Sequence, residues 1–389
     1  MALPSSAIEQ SRQNVTDSES DNGARYRLAF LTELYYPNVG GQEVFFQELA
    51  EALVRRGHSV DVHCIGHKPG LAGQETINGV QVIRHANGGR YLSPRIAFLR
   101  RNWSDIARFS ADVRRLGASD QYDFFLMNEW PVLHIPAMPK KARARSAVHW
   151  CEVRDNGPLI AIQRLFPRLV GSNFAVSPAV AQVISAQSGE EFGVLPSGIE
   201  LARYRVTERA QRSGVLCVGR VALHKNLPLL IDAFALAAAQ GLKGDLVIAG
   251  DGPARPLVEA HARLSPVTER IKILGSVTEA EKIELLATSA VLGMPSKREG
   301  FPRVIAEAMA SGLPVVTAGF PENGAAAVVD QYGVGIVCGT TPSAFAEALL
   351  AAEANWDEFS QIGLAGATSL DWSGVAETLE NRIKEVTGK

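Results

Sequence analysis

The segment Pro295 to Ala310 (PSKREGFPRVIAEAMA) concentrates the chemistry of this sequence. Gly300, Phe301 and Pro302 spell a turn, and Pro302, with its fixed φ and missing N–H, suits the first position of a helix. Arg303 and Val304 then open that helix. Its first turn presents unpaired backbone N–H groups and a partial positive charge, a seat for an anion such as a diphosphate. Glu299 stands just before the turn, and Glu307 follows eight residues later, inside the helix. Upstream, Gly219-Arg220 ends an apolar run and Lys225 sits five positions on. Two cations so placed can neutralise a diphosphate without Mg²⁺ and stabilise its charge as it leaves. Each piece also has a plainer reading. An Arg-x4-Lys pair is commonly solvated surface charge, Glu307 alone could be an exposed helix residue, and Gly250-Asp251-Gly252-Pro253 is an ordinary turn signal. The chemical reading requires the two cations, the helix end and Glu307 to share one cavity.

These residues must be positioned by something, and the sequence states what. Short apolar runs alternate with helix-like stretches along nearly the whole chain. In the first half the runs are 27–32, 59–65, 80–84, 124–128, 146–151 and 174–177. A helix over 42–56, with Val44, Phe45, Leu49 and Leu53 on one side, follows the first of them and stops at Gly57. In the second half the runs are 214–219, 245–249, 271–274, 290–294, 314–318 and 334–337, with helices such as 227–240 and 279–288 between them. Continuous apolar strands alternating with helices predict parallel sheets buried on both faces. Right-handed crossovers make each half doubly wound, an α/β fold of two Rossmann-like domains. Doubly wound sheets bind ligands at the carboxyl ends of their strands, so two of them face to face imply one cleft. A polar stretch at 201–213 marks the boundary. The division predicted is 1–24, a disordered leader without catalytic content; 25–200, a first Rossmann-like domain; 201–370, a second; and 371–389, a C-terminal helix. That helix is amphipathic, with Val375, Leu379 and Ile383 on one stripe.

Composition narrows the class. At 46% apolar and 21% charged residues the chain is an ordinary globular protein, and 389 residues suffice for two cores. A net charge of −2 provides no general attraction to nucleic acid, and no nucleic-acid motif is present. The four cysteines, Cys64, Cys151, Cys217 and Cys338, show no metal-ligand or disulfide spacing, which points to a reduced, cytoplasmic protein without a structural metal. The N-terminus lacks a basic and an apolar signal region, and no apolar run reaches the ~20 residues that span a bilayer.

Taken together, the segments resemble the retaining glycosyltransferases with the GT-B fold, specifically glycosyltransferase family four. EGFPRVIAEAMASGLPVV is similar to the family's Glu-x7-Glu signature, VLCVGRVALHKNLPLLIDAFA to its Gly-Arg…Lys element, and LVIAGDGPARPLVE to the strand and turn that follow. YYPNVGGQEVFFQELAEALVRRGHSVDV is similar to its first Gly-Gly loop and helix. The resemblance covers nearly all of the chain after the leader. It implies that Arg220 and Lys225, with Gly219 and the Gly300-Phe301-Pro302 turn ahead of Arg303 and Val304, hold a diphosphate. It implies that Glu307 binds ribose hydroxyls and Glu299 the hydroxyls of the transferred sugar. It lets Gly40 and Gly41 approach the donor closely, places His149 near the reacting sugar, makes 25–200 the acceptor domain and 201–370 the nucleotide-sugar-binding domain, and packs the C-terminal helix back on the first domain. Three positions depart from the family pattern. Pro302 often corresponds to Gly, so one backbone donor to phosphate is missing; Trp150 follows His149 where Asp is common; and PSGIE (196–200) replaces the commoner Asn-Gly-Val-Asp form.

The expected reaction is metal-independent hexosyl transfer, with retention, from a nucleotide-diphosphate sugar (UDP by frequency within the family) to a hydroxyl of a glycan, lipid-linked or small-molecule acceptor. The departing phosphate oxygen takes the acceptor proton, and Glu299 positions the sugar without attacking it. No cofactor is expected. Bland alternatives remain for Glu299 as a turn cap and His149 as a core histidine. The stretch 90–115 interleaves seven arginines (Arg90, Arg95, Arg100, Arg101, Arg108, Arg114, Arg115) with Tyr91, Phe98, Trp103 and Phe109. Lys140, Lys141, Arg143 and Arg145 add further charge nearby. Such a stretch can rest on an anionic membrane face, or it can be a solvated helix face or an acceptor pocket. A nucleotide-sugar epimerase of the same architecture and a catalytically silent glycan-binding subunit are the competing functions.

Overall fold

The computed structural model describes residues 24–38, 40–89, 91–92, 101–154 and 157–389. The leader, apart from Ala24, lies outside them, as do Arg90, Arg95, Phe98 and Arg100 of the basic stretch. The N-terminal lobe contains β1 (Arg27–Leu31), β2 (Ser59–Ile65), β3 (Gln74–Ile77), β4 (Val80–His85), β5 (Phe124–Asn128), β6 (Ser146–Trp150), β7 (Ser172–Ala175) and β8 (Gly193–Val194). They form one sheet in the order β3-β4-β2-β1-β5-β6-β7-β8. Every pairing is parallel except β3 with β4. The C-terminal lobe contains β9 (Val215–Val218), β10 (Leu246–Ala249), β11 (Ile271–Gly275), β12 (Val291–Met294), β13 (Arg298–Glu299), β14 (Val315–Ala318), β15 (Glu322–Asn323) and β16 (Gly335–Cys338). Six of these make a second parallel sheet, β11-β10-β9-β12-β14-β16, and β13 and β15 pair separately. Both lobes are therefore doubly wound α/β units.

Burial follows from the sequence pattern. The strand residues of β1, β5 and β6 are almost all buried, as continuous apolar runs between two helical layers must be. The helix Gly41–Arg55 buries Phe45, Phe46, Leu49 and Leu53; Val44 is only half-buried, because at 3.6 residues per turn it lies off the Phe45–Leu49–Leu53 stripe, on which Phe46 falls instead. The short antiparallel strand β3 has alternating exposure at the sheet edge and no long apolar run, so periodicity does not mark it.

The last helix, Trp372–Thr387, buries Val375, Leu379 and Ile383 in the core of the N-terminal lobe. Ile199 and Asp371 form the bridge where the chain leaves the first lobe and where it returns. Phe301 packs against both an N-terminal and a C-terminal core cluster.

Candidate functional site

In each sheet the chain order reverses at one place, between β1 and β5 in the first lobe and between β9 and β12 in the second. Loops leaving the carboxyl ends of such neighbours diverge to opposite faces and leave a crevice. In the second lobe the loops are 219–226 and 295–302. They are tied together where the Lys297 N–H donates to the His224 carbonyl at 2.7 Å.

Lys225 ends the 3₁₀ turn Leu223–Lys225 and is followed by Asn226 in the left-handed region, which turns the chain into the next helix. Its ammonium lies 2.5 Å from Glu299 Oε1, with both side chains largely buried. Glu299 is fixed by the pairing of β13 with β15, in which it registers with Asn323. Gly219 has φ +139, and a Cβ there would stand 3.5 Å from Lys225 Nζ, so glycine suits both the backbone and the close approach. Arg220 is exposed and makes no ion pair with a described residue. It lies near enough to His224, with Lys225, to depress that imidazole's pKa beyond the larger effect of burial.

The second carboxylate of the segment has other partners. Glu307 is buried, 2.9 Å from Lys282 Nζ and 3.8 Å from Arg303 Nε. Arg303 reaches across the lobes to Glu48 at 2.8 Å, and Glu48 also accepts from the Trp372 indole at 2.8 Å. Burial raises the Glu48 pKa, with Arg303 and Trp372 opposing. Pro302 is the residue capping the helix, which begins at Arg303, one position later than expected. Its ψ of 108° is extended rather than helical. The first amides of the helix are therefore those of Arg303 and Val304.

A cleft of about 660 Å³ lies between the lobes. Glu152, Val153 and the start of the helix Pro178–Ser188 line one side; His224, Arg298, Glu299, Gly300 and the β15 turn line the other. Of the residues singled out from sequence, it takes Glu299 and Gly300. Arg220, Lys225 and Glu307 are not among its lining residues; Lys225 pairs with Glu299, which does line it, whereas Glu307 is held by Lys282 and Arg303. Gly40 caps the helix Gly41–Arg55 with extended backbone, and neither it nor Gly41 lines this cleft. Gly300 meets the opposite lobe directly, since a Cβ on it would stand 3.0 Å from the Cys151 carbonyl oxygen.

His149 lies behind that contact. It is 1% exposed and stacks on Phe45 with ring centroids 4.1 Å apart. Its Nε2 is 2.9 Å from the Leu195 carbonyl, so Nε2 carries the proton and donates. Nδ1 then accepts from the Cys151 thiol at 3.3 Å. Burial lowers this imidazole to about 4, and it is neutral at pH 7.

The first lobe contributes groups that sequence reading passed over. Glu129 is the first residue after β5, 5% exposed, with Arg154 3.2 Å from Oε1. Burial, only partly offset by Arg154, raises its carboxyl to about 7. Glu33, after β1, accepts from the Tyr91 hydroxyl at 2.7 Å and pairs with Arg101. Their position just beyond apolar strands was the available signal. For Glu48 and Lys282, exposed-looking residues on helices, no local signal exists.

The aromatic residues of the basic stretch divide. Tyr91 and Phe109 are buried in the first lobe, while Trp103 is 40% exposed. Lys141 pairs with Asp120 at 3.0 Å, and Arg145 with the same carboxylate at 3.4 Å. Among the described residues no helix is long and apolar enough to cross a membrane.

Comparisons with known proteins agree with this architecture. Residues 39–203 match the family described as Glycosyltransferase Family 4, and residues 201–367 the family described as Glycosyl transferases group 1. An uncharacterized glycosyltransferase of Methanocaldococcus jannaschii is 28% identical over 325 residues, covering 75% of this chain and 80% of the relative. Sucrose-phosphate synthase from Thermosynechococcus elongatus superposes with a TM-score of 0.73 at 18% identity, over 94% of this chain and 100% of the other. HepE of Anabaena, solved in complex with UDP, gives 0.66 at 17% identity, over 92% and 100%. The fold is the GT-B arrangement of two Rossmann-like lobes.

Proposed function

Since the chain belongs to the glycosyltransferases, family four in its first half and group one in its second, we propose that it transfers a hexosyl residue, with retention, from a nucleotide-diphosphate sugar to an acceptor hydroxyl. The observation that carries the reading is the Lys225–Glu299 ion pair beside the interlobe cleft, built from the two loops at the sheet's reversal point. The observed cleft does not gather both cations, the helix end and Glu307 in one cavity, so the diphosphate seat we propose is limited to Lys225 and the exposed Arg220, with the N-terminal field of the helix that begins at Arg303. Displaced toward phosphate, Lys225 frees the Glu299 carboxylate to accept from sugar hydroxyls. Glu307, paired with Lys282, is assigned the ribose in this reading. As the anomeric C–O bond to the diphosphate breaks, the acceptor oxygen forms its bond from the same face and its proton passes to the departing phosphate oxygen. Two cations at the diphosphate make a divalent metal unnecessary. A UDP-sugar is the donor we favour, in keeping with the UDP bound by the Anabaena neighbour. The acceptor is a glycan, lipid-linked or small-molecule hydroxyl. The exposed Trp103 at the basic stretch is compatible with contact to an anionic membrane face.

Nucleotide release from UDP-, GDP- and ADP-sugars tests the site. Glu299→Ala, Lys225→Ala and Glu307→Ala are each expected to slow it by about 10²-fold or more, the usual cost of removing a charge-stabilising group. EDTA is expected to leave the rate unchanged, and product NMR to show the donor's anomeric configuration. Near-normal rates in all three variants would remove the assignment, and an epimerised donor without acceptor would point to an isomerase.

A further inference from the structure

Resting on the reading that Glu307 takes the ribose, we propose that Glu48 of the first lobe is a positioning residue for the donor: by holding Arg303 across the lobes it keeps that guanidinium off Glu307 and leaves the carboxylate free for ribose hydroxyls. The observation is an arginine shared unequally between two carboxylates. Arg303 Nη2 lies 2.8 Å from Glu48 Oε2, whereas its Nε stands 3.8 Å from Glu307 Oε1, too far for a hydrogen bond. That Nε is buried and has no hydrogen-bond partner. Glu48 is anchored in turn, since the same Oε2 accepts from the Trp372 indole at 2.8 Å. Lys282 is the close partner of Glu307, at 2.9 Å from Oε1.

The other pairing is near at hand. Arg303 and Glu307 stand one turn apart on the helix Arg303–Ala310, so their side chains share one face. A guanidinium matches a carboxylate with two parallel N–H···O bonds, and such forks are the strong ones. Released from Glu48, Arg303 can turn its unpaired Nε and a terminal nitrogen onto Glu307, a buried carboxylate. A carboxylate offers about four acceptor sites. Lys282 uses one and the fork takes one on each oxygen, which leaves too little for a pair of ribose hydroxyls. Two features set the pull toward Glu48 instead. Arg303 is the first residue of its helix, where a cation opposes the helix field, so a carboxylate outside the helix is favoured. Glu48, largely buried between the lobes, needs a cation of its own.

These groups gather where the chain passes between the lobes. Tyr204 directly follows the turn Leu201–Arg203. Its phenol is raised by burial first and by Glu307 next, and Arg303, Glu279 and Glu48 act on it as well. Glu48, Arg303 and Glu307 thus form one contiguous cluster, although the ribose carboxylate belongs to the second lobe alone. A first-lobe residue that touches no donor atom thereby sets the ribose affinity of the other lobe.

The test is calorimetric binding of nucleoside diphosphates to the full chain, which needs no acceptor. The probes are UDP, GDP and ADP, and the 2′,3′-dideoxy analogue of whichever binds most tightly. The wild type is expected to prefer the ribonucleotide by at least tenfold. Glu48→Met, apolar and of similar length, is expected to weaken ribonucleotide binding about tenfold, the size of one hydrogen bond to a charged group, while the dideoxy affinity moves less than twofold. Glu48→Gln keeps an oxygen for Trp372 and is expected to act in the same direction by about threefold, which keeps the test decisive if Glu48→Met misfolds. Adding Arg303→Leu to either Glu48 variant is expected to recover most of the lost affinity, because the competing fork is gone. Equal losses for both nucleotides, unchanged ribonucleotide affinity in both Glu48 variants, or no recovery with Arg303→Leu overturns the positioning role and leaves the transferase standing. A wild type that does not distinguish the two nucleotides removes Glu307 from the ribose, and this proposal with it. A wild type that binds no nucleoside diphosphate overturns the transferase reading itself.

Discussion

His149, His134 and His63 are held neutral by burial, pushed down to about 4, about 4 and about 3. An unfolded histidine takes its proton near pH 6.5, whereas these take theirs only at the depressed values. Their stabilisation is therefore complete above pH 6.5 and drains away as pH falls toward 4. Each is worth up to about 3 kcal/mol on the scale of ~1.4 kcal/mol per pKa unit. Glu129 works in the opposite sense, since a carboxyl raised to about 7 disfavours the fold progressively from pH ~4.5 to 7. Three depressed histidines outweigh one raised carboxyl, so the melting temperature is expected to fall between pH 6.5 and 4. A melting temperature constant across that range would show that these rings are hydrated. At this scale the sequence singled out Glu299 and Lys225 but not that they face each other. Nothing in a sequence spacing of 74 residues predicts a 2.5 Å ion pair.

Short elements decide how Glu299 is held. The two-residue strands β13 and β15 fix it by parallel pairing, and the helix Gly324–Tyr332 begins directly behind. A Cβ on Gly324 would stand 2.2 Å from the Gly300 carbonyl oxygen and 2.7 Å from that of Glu299. Gly324 has ordinary backbone geometry, so alanine would gain about 0.5–1 kcal/mol of helix preference. The clash opposes this and displaces the strand that carries Glu299. Gly324→Ala is thus expected to lose activity by about 10-fold or more, since shifts near 1 Å at reacting groups are that costly. Because the clash is with backbone and not with a movable side chain, stability is expected to fall as well, by about 1–3 kcal/mol. Unchanged nucleotide release together with an unchanged thermal melt would contradict this. Two-residue strands have no periodicity to read, so β13 and β15 are invisible in sequence, whereas β9 and β12 are plain apolar runs.

Across the whole molecule the lobes are joined by more than the 201–213 connection. Arg303, Glu48 and Trp372 form a chain of contacts across the lobes, Phe301 packs in both, and the helix Trp372–Thr387 covers the first lobe's core. Buried Glu380 of that helix meets Arg56 at 2.6 Å and His58 at 2.8 Å. Removing residues 372–389 uncovers Leu49, Leu53 and Phe45 as well as this ion pair. The truncated chain is expected to melt in two steps, the N-terminal lobe first and at least 10 °C below the C-terminal lobe; ~3 kcal/mol or more is at stake at about 4 °C per kcal/mol. A single unshifted transition by calorimetry would show that the helix contributes nothing to that core.

The alternation of apolar runs with helical periods determined the fold class, because burial on both faces leaves its mark within each element. The strands of both sheets other than β3 and β8, and the amphipathic stripe Val375, Leu379 and Ile383, could be read this way. Only the tertiary structure decided which charges meet. Sheet order brings Lys225 to Glu299, Lys282 to Glu307 and Arg303 to Glu48, and leaves Glu129 half-paired in a recess. Those pairings depend on how distant elements cross, and no short-range pattern records the crossing.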